Sequence, residues 1–391
     1  MSARRSPAWS LRIDRLGAVL VVVGAVALLW LPFVIAKANR IVPGHALGIF
    51  QALPAPYPLA CVLALLIAAL AALVCRDPRW RLAAALLGVL VVSLAAAAAA
   101  DALTPPGNRV VRIAPGAGCW ILLLSLGLLA VDAITRLQPG PLVRTLSLLL
   151  AAGVAVAALA HGTFDHLSVM REYAANAERF AREFRQHLWL ALGSLGAAVV
   201  VALPLGVLCH RVPRLRGAIL GALNFVQTIP SIALFGILMA PLTALAAAVP
   251  LAAALGIRGI GTAPAMIALF LYSLLPVVAN TVVGLGRVAP AAVEAASGMG
   301  MTRWQILRGV ELPLALPAVV TGIRIVLVQN IGLVAVAALI GAGGLGAFIF
   351  QGIGQTANDL VLLGAIPTVV LAFSAAVLLD ALVETMNRSP A

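Results

Sequence analysis

The chain has little charge. Only 10% of its 391 residues are Asp, Glu, Lys or Arg, while 63% are hydrophobic. A water-soluble domain cannot hide that much apolar surface. Lys37 is the single lysine, and it follows Ile35-Ala36. A phosphate-binding P-loop needs its lysine after a glycine-rich turn, so that ATPase motif is excluded. The four cysteines, Cys61, Cys75, Cys119 and Cys209, fit the spacing of neither a zinc site nor a disulfide framework. They read as small apolar filler. His161, His166 and His187 stand far apart and make no metal site. Aromatic residues make up only 5% of the chain, too few and too scattered for a tight cage around a quaternary ammonium group. The C-terminal spans carry no acid near mid-depth, and Asp380 lies close to an end. That counts against a secondary transporter or channel coupled to protons or sodium. No set of His, Asp, Glu or Cys gathers at one membrane face, as a membrane enzyme would require.

What remains is a series of uncharged runs near ~20 residues, the length of a membrane-spanning helix. They fall at about Leu16–Ala36, Leu59–Val74, Leu82–Ala100, Cys119–Val131, Thr145–Ala160, Leu188–Leu208, Ala218–Ala240, Ala263–Gly286, Ala315–Ile340 and Leu360–Leu382. The first is read as a span rather than a signal peptide, because it is long and lacks a small-x-small cleavage site before Lys37. No apolar-out, polar-in alternation points to a β-barrel. The fold class is therefore an all-α polytopic membrane protein of about ten transmembrane helices. The segment 242–261 has room for an extra half-helix. The third span ends in six alanines, Ala95 to Ala100, which either permit close helix approach or simply fill space.

The net charge of +13 is spread among short loops rather than gathered in one patch, which disfavours a nucleic-acid partner. With the N-terminus placed inside, sixteen basic residues fall on inner segments and nine on outer ones; Arg324 lies within a span. That bias supports both termini in the cytoplasm. Residues 161–186 hold four arginines and four acids among aromatics at helical spacing, and read as an amphipathic periplasmic segment on the membrane surface. They separate an N-terminal membrane extension, 1–160, from a C-terminal core, 187–385.

The longest polar interruption in that core is Arg287 to Pro317, RVAPAAVEAASGMGMTRWQILRGVELPLALP. One short helix is expected after Pro290, a turn at Gly298 or Gly300, and a second helix from about Thr302 to the prolines at 313 and 317. The charge count puts this loop, 287–317, on the cytoplasmic side. Its order is Glu294-Ala295-Ala296, three residues, Gly300, nine residues, then Val310-Glu311-Leu312-Pro313. This resembles the coupling motif of ABC importer permeases, the inner-membrane components of binding-protein-dependent importers. Val310 replaces the usual isoleucine. Gln227 to Leu234, Leu271 to Pro276, Gly298 to Thr302 and Ala338 to Gly346 resemble segments of the glycine betaine, carnitine and choline permeases.

The resemblance covers about residues 186 to 385. It implies that the C-terminal five helices form the MetI-like core of a type I ABC importer. It also implies that Glu294, Ala295, Ala296, Gly300, Val310, Leu312 and Pro313 form the coupling contact with an ATP-binding subunit. The further implied partners are a dimer of that subunit, a periplasmic substrate-binding protein, and a second permease copy or a sister permease, with membrane lipid around them. ATP and magnesium belong to the partner ATPase, and no cofactor is expected on this chain, which is a transport subunit and not an enzyme. The implied location is a bacterial inner membrane.

Candidates for the translocation path are the polar residues at membrane depth: Asn224, Gln227, Thr228, Ser231, Tyr272, Asn280, Gln329 and Asn330. Pro230 and Pro276 interrupt their helices and free backbone groups. The competing reading for each polar residue is interhelical hydrogen bonding. The glycine-rich stretch Gly341–Gly354 reads as an outer docking surface, a gate or a loop. The expected cargo is a small osmoprotectant such as glycine betaine, choline or carnitine. The alternatives are an amino acid such as methionine, or a secondary transporter.

Overall fold

The computed structural model describes residues 14–39, 42–108 and 110–388. Arg4, Arg5 and Arg12, which entered the charge count, lie outside the described residues. The chain divides into two compact units, Met1–Pro139 with Ala152–Arg171, and Gly140–Ala151 with Glu172–Ala391. Nine helices among the described residues are long and apolar enough to cross a membrane.

The first unit begins with α1 (Arg15–Trp30), a short apolar helix of 16 residues. At 1.5 Å per residue it is about 24 Å long, less than the ~30 Å hydrocarbon core. The expected span to Ala36 stops early for a local reason. Leu31 precedes Pro32, and a residue before proline is driven out of the helical region; Leu31 sits at φ −103, ψ 149. The β-branched residues that follow form a strand instead, β1 (Val34–Lys37). It is the centre of a small antiparallel sheet with β2 (His45–Leu47) and β3 (Arg112–Pro115) on either side. This sheet is absent from the helix-only sequence reading. Its registers pair Val34 with Leu47 and with Pro115.

Between the strands run α2 (Ile49–Ala52), α3 (Tyr57–Val74) and α4 (Pro78–Leu103), and α5 (Ala117–Leu137) follows β3. Ala95, Ala96, Ala97, Ala99 and Ala100 of α4 are all buried, so most of the alanine run is a packing face. Helix α6 (Pro141–Ala160) is shared between the two units.

At one end of the first unit lies a charged cluster. Asp14 caps α1, its Oδ1 accepting from the Gly17 amide at 3.0 Å. Arg81 of α4 is 2% exposed and donates to Asp14 Oδ2 at 2.7 Å; its second terminal nitrogen is 3.1 Å from Asp132 of α5. Arg136 donates to both carboxylates. The Arg81 hydrogen bond first, and the Gly17 amide next, hold the Asp14 carboxyl far below the usual carboxylate range.

The second unit is built on α7 (Ser168–Arg211), a helix of 44 residues. It kinks at Asn176, whose side-chain amide takes the Glu172 carbonyl at 2.9 Å. The segment read as a surface amphipath is thus the first half of α7, continuous with the span after it. Its aromatic face is partly covered from within the unit: Phe180 stacks near Phe184 and meets Phe348 at 6.1 Å. Next come α8 (Pro213–Thr228), α9 (Ser231–Ala248), α10 (Pro250–Ala254) and α11 (Thr262–Gly286). The expected span Ala218–Ala240 is therefore two helices. Pro230 has no N–H, and Ile229 before it is extended at φ −70, ψ 127. The segment 242–261 holds the end of α9 and the single turn α10.

Helices α12 (Pro290–Gly298) and α13 (Arg303–Ile306), a π-helical turn Leu307–Glu311 and α14 (Leu312–Ala337) follow. The helix does not stop at Pro313 as the sequence suggested. Glu311 and Leu312 are both helical, so the helix runs on through Pro313, directly after the wider-wound π-helical turn. A 3-10 turn Ala338–Ile340, α15 (Gly346–Gly354) and α16 (Asn358–Arg388) complete the unit. Half of the glycine-rich stretch is thus helical. Helices α11 and α14 pack closely: a Cβ at Gly322 would lie 2.9 Å from the Pro276 carbonyl oxygen, so any side chain there would force the pair apart.

Removing Arg81 leaves two part-buried carboxylates, Asp14 and Asp132, with the 44%-exposed Arg136 as their remaining guanidinium partner. Arg81→Ala is expected to destabilise the first unit by about 3 kcal/mol, seen as a lower unfolding midpoint of the purified chain in detergent. Because the folded Asp14 pKa is depressed, its contribution is full above about pH 4 and is lost on acidification below that. The midpoint of wild type should therefore fall as pH drops below about 4, and that of Asp14→Asn should fall less.

Candidate functional site: the coupling loop and the proline-broken helices

Residues Arg287 to Pro317 form two short helices at an exposed end of the second unit. Pro290 opens α12. The helix ends where Gly300 adopts φ +82, a left-handed geometry that glycine enters at no steric cost. The Gly300 amide donates to the Ser297 carbonyl at 2.9 Å and the Met301 amide to the Ala296 carbonyl at 3.2 Å, closing the helix end. Thr302 then caps α13 reciprocally: its amide donates to Gln305 Oε1 at 2.7 Å, and its hydroxyl accepts from the Gln305 amide at 3.4 Å.

Glu294, Ala295 and Gly300 are exposed, while Ala296 is buried and seats α12. Met299 is 75% and Trp304 is 61% exposed, and the Arg308 guanidinium lies 5.2 Å from the Trp304 ring. Val310 and Leu312 are half-buried and Pro313 is exposed. The loop therefore presents a carboxylate, small residues and two large apolar side chains on one projecting turn. Its base is held inside the unit. Leu307 packs with Leu285, Ala315, Val207 and Leu312. Glu311, 4% exposed, is ion-paired with Arg211 at the end of α7.

The polar residues at membrane depth fall into three groups. Around the α8–α9 break, each proline frees a carbonyl, and a side chain of the other helix takes it. Pro276 leaves the Tyr272 carbonyl without its helical donor, and Gln227 Nε2 donates to it at 2.8 Å. At the Pro230 break the Ile229 carbonyl receives the Tyr272 hydroxyl. These freed groups are already used, so Gln227 and Tyr272 fasten α8 to α11. Thr228 is exposed and donates to its own helix at Phe225, Asn224 is exposed, and Ser231 is half-buried.

Deeper between the helices, Asn330 is fully buried. Its amide donates to Ser194 Oγ of α7 and to Ser273 Oγ of α11, both at 3.0 Å. It ties three helices together. Asn280 is half-buried with its amide on the Pro276 carbonyl at 2.8 Å, and Gln329 is half-buried. The structure thus brings Gln227, Tyr272 and Asn330 into interhelical bonds, and leaves Asn224 and Thr228 open.

Arg324 has a carboxylate partner inside the unit. It pairs with Asp380 of α16, which also receives Arg144 at 2.8 Å; Arg144 further pairs with Glu384. At the far side of the unit, the glycine turn that precedes α15 is held by α7. Glu183 Oε2 accepts from the Gly344 amide at 2.7 Å, and Gln186 donates to the Ala342 carbonyl at 3.1 Å.

Sequence reasoning passed over Arg211, Glu311, Glu183 and the Thr302–Gln305 box. The last had a readable signature, Thr-x-x-Gln before an apolar run. The others pair across long stretches of chain, and a single sequence holds no trace of that.

Comparison with known proteins is consistent across the chain. Residues 14–170 match the family described as the N-terminal domain of the ABC transporter permease YehY. Residues 199–388 match the family described as binding-protein-dependent transport system inner membrane component. The chain is 45% identical over 197 residues to the osmoprotectant import permease protein OsmW of Salmonella typhimurium, covering 50% of this chain and 86% of that protein. It is 39% identical over 216 residues to the carnitine transport permease protein OpuCD of Listeria monocytogenes, covering 55% and 90%. The glycine betaine/carnitine/choline transport system permease protein OpuCD of Bacillus subtilis is 37% identical over 201 residues, covering 51% and 81%. An inward-facing structure of the MetNI methionine ABC transporter aligns over 54% of this chain and 96% of its own, with a TM-score of 0.44 and 26% identity. A polytopic helical membrane chain with an E-A-A turn, matching these permeases over most of their length, belongs to the family of binding-protein-dependent transport system inner membrane components: it is a permease subunit of an ABC importer.

Proposed function

We propose that this permease forms the membrane pathway for a small osmoprotectant of the glycine betaine, choline and carnitine class. The support comes from the relatives, three of which carry such cargo in their names. The sparse aromatics of the core spans suit a division of labour. A separate periplasmic protein captures the cargo, and this chain offers a passage of low affinity. Asn224 and Thr228, exposed on α8, with Ser231, Asn280 and Gln329 half-buried nearby in sequence or on facing helices, are the residues we assign to that passage. Gln227, Tyr272 and Asn330 hold its walls.

The observation that carries the mechanism is the projecting turn at Gly300 with Glu294, Ala295 and Ala296 on the helix before it. The chain has no P-loop lysine, so the driving ATPase is a separate subunit, bound with ATP and magnesium as a dimer. The exposed Met299 and Trp304 are apolar anchors for a groove on that subunit, and Glu294 offers a charged contact beside them. Val310, Leu312 and Pro313 join the turn to α14, so displacement of the turn is passed into a membrane helix. A second permease copy or a sister chain completes the pathway, and both termini are cytoplasmic.

Three measurements test this reading. Glu294→Ala, with the complex still co-purifying, should lower ATPase stimulation by about tenfold, the scale for truncating one partner of a charged contact. Gly300→Ala forces a side chain into left-handed geometry at about 1–2 kcal/mol and should weaken stimulation without lowering expression. In reconstituted vesicles, uptake of labelled glycine betaine, choline or carnitine should require ATP and the ATPase subunit. Uptake that continued without either would sink the importer reading, and uptake of methionine alone would move the cargo to amino acids.

A further inference from the structure

Helix α7 is gripped at its C-terminal end, and again at Glu183 to His187, by segments that the sequence presents as unrelated. At one end Val207 packs against Leu307, Leu285 and Ala315, and one turn later Arg211 is ion-paired with Glu311. Glu311 closes the π-helical turn Leu307–Glu311, which joins the coupling turn to α14. A π-helical turn inside an α-helix is a departure from the best backbone geometry, and such turns concentrate at functional sites. Glu311 is 4% exposed, and separating a buried carboxylate from its guanidinium is strongly unfavourable. The pair therefore ties the π-helical turn to the C-terminal end of α7.

About 42 Å of helix further back, at 1.5 Å per residue, α7 grips a second segment. Glu183 accepts from the Gly344 amide at 2.7 Å, Gln186 donates to the Ala342 carbonyl at 3.1 Å, and His187 Nδ1 accepts from the Leu345 amide at 3.3 Å. Gly341, Gly343 and Gly344 have φ of +77, +78 and +84, so this turn is specified by glycine and then fastened by three α7 side chains. Between the two grips α7 is held in register by Ser194, which accepts from Asn330, and by Gly206, where a Cβ would lie 2.6 Å from Thr281.

We propose that α7 carries displacement of the coupling loop to the Gly341–Leu345 turn, with Arg211 and Glu311 as its positioning pair. This rests on the coupling role given to the Gly300 turn. It adds a residue pair and a destination that the coupling motif does not specify. Between the two contacts α7 is continuous helix with Pro204 inside it, and a helix engaged on both sides by charge-assisted or backbone hydrogen bonds transmits a shift that a chain of loosely packed side chains would absorb.

The test uses the full chain purified with its co-purifying ATPase subunit. Backbone hydrogen exchange is followed in residues 338–348, with and without a non-hydrolysable ATP analogue. The wild type should show a nucleotide-dependent change in exchange of that turn. Glu311→Gln and Arg211→Gln should reduce the change by about tenfold, within the range by which intermediate residues modulate coupling. The charge-swapped pair, Arg211→Glu with Glu311→Arg, should regain it. A merely structural pair would lower stability alike in all variants and leave the response of the assembled fraction unchanged, which overturns the inference. So does a wild type whose turn ignores nucleotide, or a swapped pair that assembles without regaining the response. If a single variant fails to assemble, the swapped pair decides: an assembled, responsive complex supports the inference, and no assembly overturns it. A wild type that retains no ATPase subunit overturns the coupling role itself, and this inference with it.

Discussion

In hydrocarbon no water is present to satisfy a backbone carbonyl, and this constraint shapes the core of the molecule. Two prolines, Pro230 and Pro276, break the helical ladder at membrane depth. The Tyr272 carbonyl is taken by Gln227, and the Ile229 carbonyl by the Tyr272 hydroxyl. Each break is repaired by the helix that carries the other. The repair adds to the apolar packing of α8 and α9 on α11, where Leu234 and Phe235 meet Leu269 and Leu223 lies against the cluster of Leu274 and Val278. Glycine allows the remaining close approaches, as at Gly322 against Pro276 and Asn280. The Asn330–Ser194–Ser273 triad applies the same logic to side chains: polar groups in the membrane interior are kept only where they bond to each other.

From that scaffold the functional features differ in how they are held. The coupling turn is exposed and apolar at its tip, yet its base is buried in a cluster of Leu285, Leu307 and Ala315 beside the Arg211–Glu311 pair. The coupling role we propose needs such a base, because a mobile loop would absorb the displacement. Helix α7 meets this base at its C-terminal end and the glycine turn through Glu183, Gln186 and His187. The first unit uses charge in a different way. Arg81, buried between Asp14 and Asp132, fastens α4 to the start of α1 and to α5, where apolar packing alone would leave α1 too short to hold itself.

The sequence by itself determined the class of the molecule, because hydropathy is a one-dimensional property. Run length and charge bias marked most of the spans, and the single lysine, outside any glycine-rich turn, excluded a P-loop from this sequence. The Glu294-to-Pro313 spacing pointed to the turn that we propose as the coupling contact, and its helix signals are local: Pro290 to start, Gly300 to turn. Local signals also misled. The apolar run past Trp30 looked like helix, although Pro32 and the β-branched residues after it make the β1 strand. Pro313 looked like a stop, although the helix runs on through it after the π-helical turn Leu307–Glu311. Only tertiary structure decided which polar residues of the apolar helices bond across a helix interface and which do not. Gln227, Tyr272 and Asn330 have the same composition signature as Asn224 and Thr228, and they differ only in having a partner across a helix interface. It likewise decided that Arg211 meets Glu311 and that Glu183 meets Gly344. Those partners are brought together by helix packing in three dimensions, and no periodicity along one chain encodes a contact between residues so far apart.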